Sequence, residues 1–481
     1  MVWNRKPLWF LSQLSNNKNC ILANCLASGG LNLPLFLFCA KFAPMKKNDP
    51  TIINAWYMYD WANSVHALVI VSSIFPVYFS ATALSASGTP EIHFFGTQIK
   101  SSVLFSYTVS ISFLITALLI PLCTGIADYT GKKKRFMQFF CYLGAISCML
   151  LYFFTKETLI PSIFLFGLSL VGWSGSIVFY DSYLPEIATE DNFDRYSARG
   201  FSLGYLGSVL LLVFNLSMVL APDFYGITQK SLPARISFFT VGLWWVLFAQ
   251  ISFYYLPLGS SVKQKVENPV FNGFKELRKV FLRMQDQPYL SKFLSAFFVY
   301  TMGLRTVMYV ATIFGATELK LPSQSLIITV LLIQIVGIIG SFTFAWLSGK
   351  IGNIHALMIG VAIWVGICTA AYYTTEAIEF YFVACAVGMV MGGIQSLSRS
   401  TYSKLIPENT PDTASYFSFY DVTEKLAIVI GTFIYGTVEY LTGSMRNSIL
   451  ALLVIFVIGL ILLYRIPSRK VYRFELERNK N

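Results

Sequence analysis

Twelve apolar stretches, each near the length that crosses a bilayer, follow one another from residue 55 to residue 465. They cover 55–80, 101–125, 136–154, 160–183, 200–221, 235–257, 290–314, 324–347, 355–373, 377–398, 416–437 and 446–465. A hydrocarbon core about 30 Å thick takes roughly 20 apolar residues in a helix. Backbone polar groups in lipid must bond within their own segment or within a closed barrel, and barrel strands are about half this long. The pattern therefore predicts an all-α integral membrane protein. Composition agrees: 12% of residues are charged, against roughly 25% in soluble domains. No polar segment is long enough to house an enzyme.

The formal net charge of +12 is carried by loops. Lys132, Lys133, Lys134 and Arg135 follow the second stretch. Lys263, Lys265, Lys275, Arg278, Lys279 and Arg283 lie in the middle loop, and Arg465, Arg469, Lys470, Arg473, Arg478 and Lys480 end the chain. The loop between the ninth and tenth stretches has no Lys or Arg. This is the positive-inside bias. It places both termini and the middle loop in the cytoplasm and makes nucleic acid an unneeded partner. The organisation read from it is a six-helix half at 45–257, a basic linker at 258–289, a second six-helix half at 290–467 and a basic tail at 468–481. Gly273 to Met284 is basic and amphipathic and reads as a helix on the membrane surface. Residues 1–44 are atypical: 31–43 is too short to span, and Met45-Lys-Lys-Asn-Asp-Pro reads as the natural start.

Cys123, Cys141, Cys148, Cys368 and Cys385 sit in apolar runs and read as packing residues. Cys20 and Cys25 have no His near them to make a metal site. With no Gly-x-x-x-x-Gly-Lys-Ser/Thr run and no His-Glu-x-x-His, neither bound ATP nor a zinc protease centre is expected. The expectation is no cofactor, no metal and no catalytic residue.

After the second stretch stands Gly125-Ile-Ala-Asp128-Tyr-Thr-Gly131-Lys132-Lys133-Lys134-Arg135. Gly125 permits close helix contact, Asp128 suits a helix N-terminus, where the dipole favours an anion, and Gly131 permits a tight turn. The run from Lys132 to Arg135 holds the loop on the cytoplasmic side. This spacing resembles the loop signature of the major facilitator superfamily, and the resemblance implies a conformational gate there. Trp346-Leu-Ser348-Gly349-Lys350-Ile-Gly352 is a weaker echo in the second half, with Ser348 before its glycine and no Asp. Two further motifs, Trp56-Tyr-Met-Tyr-Asp60-Trp61-Ala-Asn63-Ser64 and Gly392-Gly-Ile-Gln395-Ser-Leu-Ser-Arg399, resemble the branch typified by the autophagy-linked vacuolar amino-acid effluxers and their bacterial relatives. So does Phe179-Tyr180-Asp181-Ser-Tyr183-Leu-Pro-Glu186. The resemblance implies a permease with twelve helices in two halves, acting on amino acids or similar metabolites. In the seventh span Arg305 stands where many bacterial relatives carry Gln, and the acid they carry is missing.

Ionisable residues inside a membrane default to function or to pairing. Asp60, Asn63 and Ser64 share a helix face at i, i+3 and i+4, suited to a substrate amine, a cation or a proton. The competing reading has Asp60 bonded to a neighbouring helix. Arg305, if it faces a cavity, suits a carboxylate or phosphate, and if not it pairs with an acid. Asp421 and Lys425 read as an i, i+4 salt bridge, which leaves Glu424 as a proton carrier. Gln395 reads as cavity-lining and Arg399 as an anchor to headgroups. Trp56, Tyr57, Trp61, Trp244, Trp245, Tyr254 and Tyr255 read as interfacial belt residues. Asp181 and Glu186 read as part of the inward gate, and His66 as a packing residue.

The expected function is a monomeric secondary transporter that moves a small solute by alternating access, with the proton as coupling ion and the lipid bilayer as its other partner. The expected location is a bacterial inner membrane, with a vacuolar membrane as the alternative. Competing functions are a non-transporting sensor or scaffold of the same fold, and an exporter of drugs or organic anions.

Overall fold

The computed structural model describes residues 47–87, 91–94, 96–229, 231–258, 268–321, 323–408 and 410–466. The atypical extension at 1–44 and the basic tail at 468–481 lie outside the described residues. The chain divides into Met1–Lys47 and Asn48–Asn481, and the second unit carries every element below.

The first span begins as α1 (Pro50–Val65). Asp49 caps it by accepting from the backbone N–H groups of Thr51 at 2.8 Å and Ile52 at 3.4 Å, and Pro50 fills the first turn, where no N–H is needed. The span widens into a π-helical stretch, His66–Ile74, and continues as α2 (Phe75–Ser87). The widening has a local cause. Pro76 has no N–H and its ring crowds the carbonyl four residues back, so the turns before it take the longer bond, Phe75 N–H to Ile70 O. The first half then runs through α3 (Ser101–Thr130), α4 (Lys133–Leu150), α5 (Leu159–Asp181), the short α6 (Leu184–Ile187), α7 (Phe193–Leu220) and α8 (Leu232–Tyr255). An antiparallel hairpin, β1 (Glu91–Phe94) and β2 (Thr97–Lys100), pairs Glu91 with Lys100 between the first two spans. Nothing in the apolar pattern announced it.

The amphipathic linker is helical, α9 (Pro269–Gln285). The second half comprises α10 (Pro288–Thr317), α11 (Ser323–Ile351), α12 (Asn353–Tyr373), α13 (Ala377–Leu405), α14 (Thr413–Thr442) and α15 (Met445–Tyr464). Among the described residues, eleven helices are long and apolar enough to cross a membrane. The twelfth, α14, spans 30 residues but carries Asp421, Glu424 and Lys425, which dilute its apolar character.

Apart from the hairpin the described fold is helical, in two six-helix halves. They meet along two seams, α3 against α14 and α7 against α11 and α13. Small residues make close packing possible, as expected in lipid, where packing is the main source of helix association. A Cβ on Gly392 would overlap the Gly337 carbonyl, and one on Gly388 would crowd Ile333 O. The first half also has an aromatic core in which Phe75 stacks on Phe166 with centroids 4.1 Å apart.

Candidate functional site

Between the halves lies a cavity of about 1260 Å³, counting the space at its open mouth. On α1 it is lined from Asp60 to Ser64, and the lining continues through the π stretch to Ser72, away from the end that carries Lys132–Arg135. Its floor is an ionic layer. Arg399 on α13 crosses to the first half and donates to Asp181 Oδ1 at 3.0 Å and to Asp60 Oδ2 at 3.2 Å. Its Nε reaches Ser197 Oγ at 2.9 Å and an Nη reaches Ser197 O at 3.0 Å. Tyr180 donates a further bond to Asp60 Oδ2 at 2.7 Å. The guanidinium lies over the rings of Trp56 at 4.8 Å and Phe201 at 4.2 Å, and Trp56 stacks on Tyr180. Burying an ion pair is costly unless each charge is paired and its hydrogen bonds are filled. Arg399 meets that condition at 2% exposure. Gly200 is required beside it, because a Cβ there would overlap Asp60 and press on Arg399.

This layer corrects two expectations. Arg399 is not a headgroup anchor, since its planar fork of donors is held by two carboxylates from the other half. Trp56 and Tyr57 are buried rather than interfacial, as is Trp245. The flat face of Trp56 serves the cation. Trp61 and Trp244 are partly buried and stacked on each other, and Tyr254 and Tyr255 are exposed, as belt residues are. Asp60 satisfies both of its readings, lining the cavity and bonding a neighbouring helix.

Higher on the wall, Arg305 pairs with Glu424, its Nε donating to Oε1 at 2.6 Å. Both line the cavity, so Arg305 faces it and is paired at once. Glu424 is correspondingly not left over. Lys425 bonds Asp421 at 2.9 Å, the expected i, i+4 bridge, and lies 4.0 Å from Glu424. Gln395 also lines the cavity, accepting from Tyr205 OH at 3.3 Å and placing Nε2 3.4 Å from Met308 Sδ. Ser64 lines it too, and Asn63 does so while returning its amide to Tyr59 O at 2.9 Å. His66 is buried, with Nε2 3.0 Å from Ser169 Oγ.

Toward the basic end the seam is latched twice. Asp128 accepts from the backbone N–H of Ser415 at 2.7 Å and of Ala414 at 3.4 Å, at the positive N-terminus of α14. Gly131 makes the turn after it with φ 65°. Gly125 meets Gly273 of α9 backbone to backbone. Among the cations of the motif, Lys133 and Lys134 carry the internal contacts. Lys133 bonds Glu186 at 2.5 Å and Thr413 Oγ1 at 3.2 Å, and Lys134 bonds Leu256 O at 2.7 Å. Lys132 and Arg135, singled out from the sequence, are exposed.

The second latch escaped the sequence reading. Asp194, in the first turn of α7, takes Lys404 at 2.6 Å, Asn353 Nδ2 at 2.7 Å and Ser348 Oγ at 2.9 Å. The echo motif does have an acid opposite it, carried by the start of the facing helix instead of by the motif itself. Ser348 was the visible signal: a hydroxyl at the place of an Asp calls for an acceptor across the seam.

A family model described as "Vacuole effluxer Atg22 like" matches residues 48–473. The chain belongs to this family. The Atg22-like chain is 32% identical over 421 residues to the uncharacterized MFS-type transporter YxiO of Bacillus subtilis (strain 168), covering 86% of this chain and 94% of that one. It is 22% identical over 532 residues to autophagy-related protein 22-1 of Penicillium rubens, covering 84% and 88%. Among solved structures, the E. coli fucose:proton symporter FucP matches with a TM-score of 0.62 at 14% identity, over 87% of this chain and 98% of that chain. The Atg22-like chain is thus a major facilitator transporter and not an enzyme.

Proposed function

We propose that this protein exports a small zwitterionic solute, an amino acid, by proton-coupled alternating access. One observation carries the reading. The cavity is lined by three acids, Asp60, Asp181 and Glu424, and three bases, Arg305, Arg399 and Lys425, each close to a partner of opposite sign. A solute with both an ammonium and a carboxylate replaces a protein pair charge for charge. Arg305 and Glu424 are the pair best placed for this, because they are the more exposed, at 24% and 13% of their side chains. The carboxylate goes to the guanidinium fork and the ammonium to Glu424.

Asp60 is the first coupling site and Glu424 the second. Protonating Asp60 removes one of the two charges that hold Arg399, so the proton and the opening of the floor bias one equilibrium. The halves at 45–257 and 290–467 rock about the cavity while 258–289 tethers them. The basic end faces the cytoplasm with both termini, in a bacterial inner membrane, a placement favoured by the higher identity to the Bacillus relative. A monomer suffices.

The test is efflux of labelled amino acids from loaded proteoliposomes, with and without an imposed pH gradient, for wild type and Asp60→Asn. Gradient-driven efflux that the substitution uncouples is expected. Wild type that is correctly reconstituted and moves no amino acid contradicts the substrate assignment.

A further inference from the structure

Helix α9 lies within the tether at 258–289, and tethering uses none of its exposed side chains. It packs through Gly273, Val280 and Met284. Gly273 sits against Gly125 and Ile126, and Asn272 Nδ2 bonds Tyr129 OH at 3.1 Å. It therefore lies beside the last two turns of α3, at the level where a span leaves the lipid. Two other faces are largely exposed, although Phe281 also touches the ring of Phe419 on α14. Val270, Phe274 and Phe281, spaced four and seven apart, form one exposed apolar stripe. Lys275 and Lys279 form a basic stripe, and Arg278 stands between the two, all three exposed. Among the described residues neither Lys275 nor Arg278 has a salt-bridge partner, and Lys279 pairs at i, i+3 with Glu276, both within electrostatic reach of Asp412. An apolar stripe flanked by cations at this depth matches the boundary between acyl chains and headgroups.

The same helix touches the gate. Arg283 bonds Asp412 Oδ2 at 3.1 Å, directly before Thr413, Ala414 and Ser415, which the first latch holds. We propose that α9 is a receptor for anionic phospholipid headgroups, bound by Lys275, Arg278 and Lys279, and that their phosphates compete with Asp412 for Arg283 and so loosen the latch at the N-terminus of α14. Lipid charge then sets the balance between closed and open basic ends. The proposal rests on reading that end as the gate.

Hydrogen exchange of the full chain in nanodiscs tests it without any solute, so its failure leaves the transport reading intact. Discs of phosphatidylcholine are compared with discs in which about one-third is replaced by phosphatidylglycerol, a fraction that gives a clearly negative surface. The expected result is slower exchange across 269–285 and faster exchange across 413–418 in the anionic discs. Each neutralised cation is expected to weaken the lipid dependence roughly fivefold. The triple variant Lys275→Gln, Arg278→Gln, Lys279→Gln therefore shows no lipid dependence, while Lys275→Arg, Arg278→Lys, Lys279→Arg keeps it. Identical exchange in both discs overturns the proposal. So does a lipid effect that survives in the triple Gln variant, which assigns the effect to another surface or to a segment of the chain covering α9.

Discussion

At the scale of single residues, Arg399 and Glu424 hold the two charge clusters of the cavity together. Removing Arg399 as Ala leaves Asp60 and Asp181 buried against each other without their cation, a loss on the order of 3–5 kcal/mol for breaking a buried pair. Arg399→Ala is therefore expected to lower the thermal midpoint in detergent markedly. Arg399→Lys is expected to recover part of the loss, because it restores charge without the fork. Glu424→Gln frees Arg305 while removing the partner for an ammonium. In competition assays it is expected to cost zwitterionic solutes about tenfold in affinity relative to simple carboxylates, the scale of one charge-assisted hydrogen bond. The candidate site was half legible here. Asp60 and Arg305 stood out because a charge in a span is expensive. The partner of each was hidden: Asp60 and Arg399 are 339 positions apart, and no local pattern links them. Without its partner, Arg399 near a helix end looks like a headgroup anchor, and Trp56 looks like a belt residue.

At the scale of elements, both latches join a helix end of one half to a helix start of the other, with the acid on the helix end in the first latch and on the helix start in the second. Asp128→Ala removes the cap from α14 and is expected to cost about 0.5–2 kcal/mol, read as loss of protection at the Ser415 amide in hydrogen exchange. Ser348→Asp sets a second carboxylate against Asp194 and is expected to destabilise the closed seam. Adding Asp194→Ser returns an acid–hydroxyl pair with the partners exchanged. A double-mutant cycle on thermal midpoint is expected to show the rescue, and additive losses contradict the pairing. The helices themselves were legible, since apolar length is a strong signal. The motif around Asp128 was legible because its spacing is specific. The π-helical stretch of the first span and the β1–β2 hairpin were not. Each follows from backbone detail, such as Pro76 crowding a turn, that apolar length averages away.

At the scale of the whole molecule, the claim is that the basic end is shut by the Arg399 layer and its latches, and that losing a charge in that layer lets the halves part. Lys132 and Lys350 are exposed at that end, one on each half, and suit spin labels on introduced cysteines in a background without the native ones. Double electron–electron resonance between them reads the opening directly. The account predicts one short distance population for wild type at neutral pH, and a shift toward a longer population in Asp60→Asn and on acidification. An unchanged distribution in the variant and across pH would contradict it.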